Sequence, residues 1–142
     1  MKTVQLSSLS LAAAVVALEA AQAKARELGM AITTTVVDHS GLVKLYARMD
    51  GAPLLATDAS HRKARTAVGF GMPTGKPWHD FIKDDPILSD GAQVLEGFTL
   101  LGGGSPIYVD GALVGAIGVA GGHYAQDEQC AKAAIEALEQ MA

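Results

Sequence analysis

The sequence predicts an α+β fold in one domain spanning residues 1–142, and three observations carry that expectation. The elements read as helix, two strands, helix, a long excursion, three strands and a final helix. Turn chemistry at Asp38-His39-Ser40-Gly41 and Asp110-Gly111 joins neighbouring strands by hairpins, which makes them antiparallel and argues against a crossover-linked parallel sheet. A length of 142 residues suits a single core and leaves little room for a second domain.

The first helix follows from Leu6, Leu9, Ala13, Val16 and Ala20, which recur at three- and four-residue spacing, with Ser8 or Ser10 as cap and Gly29 at its end. Lys2, the apolar run from Leu9 to Leu18 and Ala21-Gln22-Ala23 also have the outline of a short signal peptide. The helix is the preferred reading, because Glu19, Lys24, Arg26 and Glu27 continue it past the supposed cleavage point. The run is also shorter than the roughly 20 residues a membrane span needs. Ala31 to Val37 and Leu42 to Arg48 form the first hairpin. Thr57 to Phe70 is the second helix, capped by Thr57 or Asp58 and closed by Gly69, Gly71 and Pro73. Thr74 to Gly91, rich in Gly, Pro and Asp, reads as a partly helical surface excursion of the kind that often carries function. Strands are expected near Phe98 to Leu101, from Ile107 to Val109 and from Leu113 to Val119. The last helix presents Ala131, Ala134, Ile135, Leu138 and Met141 on one face, with Asp127 and Glu128 in its first turn.

Composition narrows the function classes. Hydrophobic residues make up 49% of the chain and charged ones 18%, which excludes a disordered segment. A net charge of -4 gives no global support for binding nucleic acid. Cys130, the only cysteine, can make no internal disulfide and no thiolate cluster, so a reducing, cytoplasmic location is expected.

The residues Val37-Asp38, Arg48-Met49-Asp50-Gly51-Ala52, Lys63-Ala64, Thr66-Ala67, Phe70, Pro73-Thr74, Gly102-Gly103-Gly104, Pro106, Asp110-Gly111, Gly115-Ala116-Ile117-Gly118-Val119 and Gly121-Gly122 fall in a specific order. In this order the chain resembles the haem-degrading or haem-binding domain family, which includes haem-binding sensor proteins, the GlcG group and the C-terminal domain of PduO-type proteins. The resemblance implies a profilin-like fold, with a five-stranded antiparallel sheet and helices on both faces. It also implies homo-oligomers from dimers to octamers, with ligand pockets near subunit contacts, and haem as a cofactor in some members. It implies fold more firmly than function.

Ala59, Lys63, Thr66 and Phe70 share one face of the second helix. An ammonium, a hydroxyl and an aromatic ring in line could hold a carboxylate-bearing ligand, with Met49 as a further apolar wall. Pairing of Lys63 with Asp50 or Asp58, and packing for the rest, is the competing account. His61, Arg62, Lys63 and Arg65 are the densest basic stretch, able to attract propionates, carboxylates or phosphates, or simply a solvated face. Gly103 and Gly104 admit close approach of a ligand or chain; a bulged strand connection explains them equally well. His123, after Gly121-Gly122, stands either by an anion site or in an ordinary strand-to-helix turn. Trp78 and His79 suggest a lid over an apolar ligand, or packing against a partner subunit. The four histidines lack metal-ligand spacing, so no metal set is assigned; His61, His79, Met49 and Thr74 are the candidates for an axial haem ligand. Cys130 reads as a packing residue.

The leading expectation is a cytoplasmic homo-oligomer that binds haem or a related small anionic ligand, with Lys63 and Arg65 on carboxylates and Met49, Phe70 and Trp78 on apolar parts. Its rival is an enzyme acting on a small oxo-, hydroxy- or ring-containing metabolite, with Lys63, His61 or an excursion aspartate as acid or base. A module acting only through oligomer contacts is the third reading. No nucleic-acid or membrane partner is expected.

Overall fold

The computed structural model describes residues 1–141. Helix α1 (Leu11–Glu27) leads into the hairpin of β1 (Thr33–Asp38) and β2 (Val43–Arg48), followed by α2 (Ala56–Phe70). The excursion folds into two short helices, α3 (Lys76–Ile82) and α4 (Pro86–Gln93). The hairpin of β3 (Gly104–Val109) and β4 (Ala112–Ala120) and helix α5 (Tyr124–Glu139) complete the chain. The strands form one antiparallel sheet in the order β2-β1-β4-β3. Among the described residues the sheet has four strands, one fewer than expected.

The missing strand is Phe98 to Leu101, and its backbone and side chains explain why. Thr66 Oγ1 accepts the Thr99 N–H at 3.1 Å, and Thr99 Oγ1 accepts the Leu101 N–H at 3.2 Å. Phe98 is buried with Trp78, Ile82 and Ala92 in a small core away from the sheet. Side-chain acceptors and a local apolar cluster thus satisfy the segment without a ladder.

Helix α1 starts at Ser10, whose hydroxyl accepts the Ala13 N–H; Ser8 instead accepts the His39 N–H. Its buried stripe is Ala14, Ala17, Ala21 and Ala25, rotated from the expected one, because the small residues let α1 lie close to Cys130, Ala131 and Ala134 of α5. Helix α2 has no side-chain cap: Thr57 Oγ1 pairs with Tyr46 Oη at 3.0 Å, and Asp58 takes Arg62 at 2.7 Å. The Asp110-Gly111 turn has positive φ at both residues, 50° and 81°, as a two-residue hairpin requires.

Helices α1 and α5 cover one face of the sheet, with Ile32, Val36, Ile107, Ile117 and Val119 beneath them. Helix α2 covers the other, with Val37, Ala64, Ala67 and Ala116 between. Its seat is a cross-strand pair of glycines, Gly104 and Gly118. A Cβ on Gly118 would overlap the Ser60 carbonyl oxygen and stand 2.7 Å from Ala64 N, and one on Gly104 would overlap the Lys63 carbonyl oxygen. Helix backbone therefore rests directly on strand backbone.

Two glycine substitutions separate close approach from chain entropy. Gly118→Ala should cost about 2–3 kcal/mol, because neither backbone can yield. Gly91→Ala, in α4 with open space around it, should gain roughly 0.4–1 kcal/mol. Urea denaturation of both variants measures this, and a near-neutral Gly118→Ala would contradict the contact.

Candidate functional site

Lys63 reaches from α2 to Asp127 of α5, on the opposite side of the sheet. Its Nζ donates to Asp127 Oδ2 at 2.8 Å and to the Val119 carbonyl at 2.9 Å, and Asp127 Oδ1 accepts the Gly122 N–H at 3.1 Å. Both residues are 2% exposed. Burial pushes the Asp127 carboxyl above its ordinary range, against the opposing pull of the Lys63 hydrogen bond and charge. The pair fits because Gly103, at φ 119°, carries no side chain: a Cβ there would lie 3.1 Å from Lys63 Nζ and 2.9 Å from Asp127 Cβ. Lys63 thus takes neither Asp50 nor Asp58 as partner, and it lines none of the grooves described below.

The largest of these grooves, about 650 Å³, runs between α3 and the N-terminal end of α5. Leu100, Leu101 and Tyr124 supply apolar surface, and His79 and Lys76 stand on the α3 side. Its floor is a slot between Gly75 and Gly102, where the Glu128 carboxylate occupies the space that their Cβ atoms would need. Asp80 bridges Lys76 and Lys83, and the Lys76 hydrogen bond holds its carboxyl below the ordinary range. His79 Nδ1 stands 3.9 Å from Asp80, with most of the imidazole exposed. His123 caps α5: its Nδ1 accepts the Ala125 N–H at 3.1 Å, and its ring stacks on Tyr124 at 4.2 Å.

Residues expected to share one site are distributed around this groove and beyond it. Thr74, 2% exposed, is tied to β3, its Oγ1 accepting the Gly104 N–H at 2.8 Å. Trp78 is buried behind the groove in edge-to-face contact with Phe70, Phe81 and Phe98. Met49 packs beside the α1–α5 core, its sulfur accepting the Ile32 N–H at 3.4 Å. His61 lies in a second groove, about 530 Å³, with Tyr46, Leu54 and Leu55 at the β2 edge. Arg65, Thr66 and Phe70 line a third cleft, about 200 Å³. Gly103 and Gly104 serve the ion pair and the α2 seat. Helical rotation sends Lys63 inward and His61 outward, so the two do not meet.

Sequence reasoning passed over Leu100, Leu101, Tyr124 and Glu128. The signal for Glu128 was indirect: a triglycine needs something close to it, and here that is a side chain one helix away. Among the described residues no three His, Cys, Asp or Glu side chains are grouped to hold a metal ion. No helix among them is long and apolar enough to cross a membrane. Cys130 is buried, and burial, with the nearby Asp127 charge, pushes its thiol up to about 11.

Comparison with known proteins gives concordant results. The model of the haem degrading protein HbpS-like family matches residues 9–136. The chain is 33% identical over 142 residues to an uncharacterized 15.0 kDa protein of Citrobacter freundii from the dhaT-dhaS intergenic region, covering 99% of each. It is 36% identical over 119 residues to GlcG of Escherichia coli K12, covering 84% of each. The crystal structure of Klebsiella pneumoniae ORFY superposes with a TM-score of 0.92 at 29% identity, over 100% of this chain and 98% of that one. The PduOC–haem complex superposes with a TM-score of 0.85 at 30% identity, over 92% and 94%. The expected GlcG and PduO resemblances are thus both found.

Two predictions follow from the buried groups. Lys63→Met or Asp127→Asn alone should cost about 3–5 kcal/mol in urea denaturation, while Lys63→Met with Asp127→Leu should cost less than the two losses added. Strictly additive losses would count against the pairing. Cys130 should resist a thiol reagent at pH 8 until denaturant is added. Because its native affinity for the proton is raised, the stability it contributes is complete below pH 9.0 and is lost as pH rises toward about 11. Rapid labelling of the native protein would refute the burial argument.

Proposed function

Because the chain belongs to the HbpS-like family of haem degrading proteins, we propose that it binds haem, or a related anionic tetrapyrrole, in the groove between α3 and α5. The observation that carries this reading is an exposed imidazole, His79, at the edge of a 650 Å³ groove walled by Leu100, Leu101 and Tyr124. A site for a large, flat, mostly apolar ligand needs that combination of volume, apolar wall and few polar groups. His79 would bind the haem iron, and Lys76 and Lys83 would meet the propionates once drawn from Asp80. When bound, haem supplies iron-centred redox chemistry; the chain's own residues orient it and exclude water from one face.

The haem-complex structure of the PduOC relative supports the reading, as does the family model. Haem degradation is the activity the family description suggests for the loaded groove. Assembly into homo-oligomers belongs to the same proposal: Leu42, Val43, Leu54 and Leu55 are exposed together at the β2 edge, where an unpaired strand invites a partner. The unpaired Cys130 accords with a reducing, cytoplasmic setting.

Haemin titration followed by absorbance is the direct test. Saturable growth of a Soret band at one haem per chain is expected. His79→Ala should abolish the spectral signature of an imidazole-bound iron, and Lys76→Ala should weaken binding several-fold. His123→Ala should lower helix stability while leaving binding in place. A flat titration, or an unchanged spectrum in His79→Ala, rejects the groove as the haem site.

A further inference from the structure

The third cleft lies on the outer side of α2, against the loop after α4, and has no part in the haem reading. Its volume of about 200 Å³ excludes a tetrapyrrole and is close to that of apolar cavities, roughly 150 Å³, that accept a single benzene ring. Three features make it a built site.

The first is a free cation. Arg62 is paired with Asp58 and Lys63 with Asp127, whereas Arg65 has no carboxylate within 4 Å among the described residues. Its guanidinium is nevertheless placed: Cζ, Nε and Nη1 lie 3.3, 3.4 and 3.4 Å from the point where a Cβ on Gly97 would stand. The guanidinium thus packs against the bare backbone of Gly97, in the cleft that both residues line. The second is a fixed wall. Thr66 Oγ1 accepts from Thr99 N at 3.1 Å and donates to the Gly97 carbonyl at 3.4 Å, tying the 97–99 loop to α2. The third is a bare aromatic surface. Phe70 is held edge-on by Trp78 and Phe98, yet it is 48% exposed, and Leu95 beside it is 50% exposed.

We propose that this cleft binds a small monocarboxylate with an aromatic or branched apolar body. The carboxylate would take the Arg65 edge in bidentate fashion, and the body would cover Phe70 and Leu95. Glu96 on the rim selects for a single negative charge, since a second anionic group would meet it.

Benzoate titrated into the isotopically labelled protein, with amide chemical shifts as the readout, tests the site. Saturable shifts at Gly69, Gly97 and Phe98 are expected, with a dissociation constant on the order of millimolar. Arg65→Ala, an exposed change, should weaken binding about tenfold or more, and Arg65→Lys should retain part of it. Gly69→Leu fills the cleft from an open helix position, one turn beyond Arg65, and it should abolish the shifts. Terephthalate should bind more weakly than benzoate, and Glu96→Gln should narrow the gap. Absence of saturation, unchanged affinity in Arg65→Ala or Gly69→Leu, or shifts confined to the α3–α5 groove would each overturn the proposal. These readouts use protein free of haem, so they stand or fall independently of the haem titration.

Discussion

The buried pair of Lys63 and Asp127 ties together the layers that would otherwise be held only by apolar contact. Lys63 belongs to the helix on one face of the sheet and Asp127 to a helix on the other, with the end of β4 between them through the Val119 carbonyl. Two charges removed from water are expensive singly and tolerable together, so the pair acts as a registration pin more than as a source of net stability. It sets the height of α5 over the sheet, because the second oxygen of Asp127 fixes the Gly122 backbone where the chain turns into that helix. The large groove has one wall on α5, so its width depends on this pin.

Three consecutive glycines make the arrangement sterically feasible, each for its own reason. Gly102 yields space to the Glu128 carboxylate, Gly103 to the ion pair, and Gly104 to the backbone of α2. A run that in sequence looks like a single flexible hinge is in three dimensions a line of three separate contacts, and none of them calls for motion. The close approach anticipated for these residues is made by the protein's own helices.

The fold was legible because its signals are local. Asp110-Gly111 and Asp38 to Gly41 announce hairpins, and Gly71 ends α2 in the left-handed conformation at φ 68°. What escaped was settled at long range. The apparent strand at Phe98 to Leu101 is bonded to Thr66, more than thirty residues earlier. The buried face of α1 was misread because alanine occupies much of the helix circumference, leaving the hydrophobic periodicity little contrast. Lys63 invited the nearby partners Asp50 and Asp58, while its carboxylate stands 64 positions downstream. The candidate site suffered most, since residues on one helix face in sequence were shared out among an ion pair, a small cleft and a core.

The aromatic residues are unevenly distributed. The chain has one tryptophan and three phenylalanines, and all four rings meet in the cluster behind α3. Trp78 is 5% exposed there, while its neighbour in sequence, His79, faces the large groove. Indole emission from the whole molecule therefore originates at one dry position beside the groove. The protein carries a built-in fluorophore, and a porphyrin bound anywhere on so small a domain would quench it through energy transfer and report binding without any label.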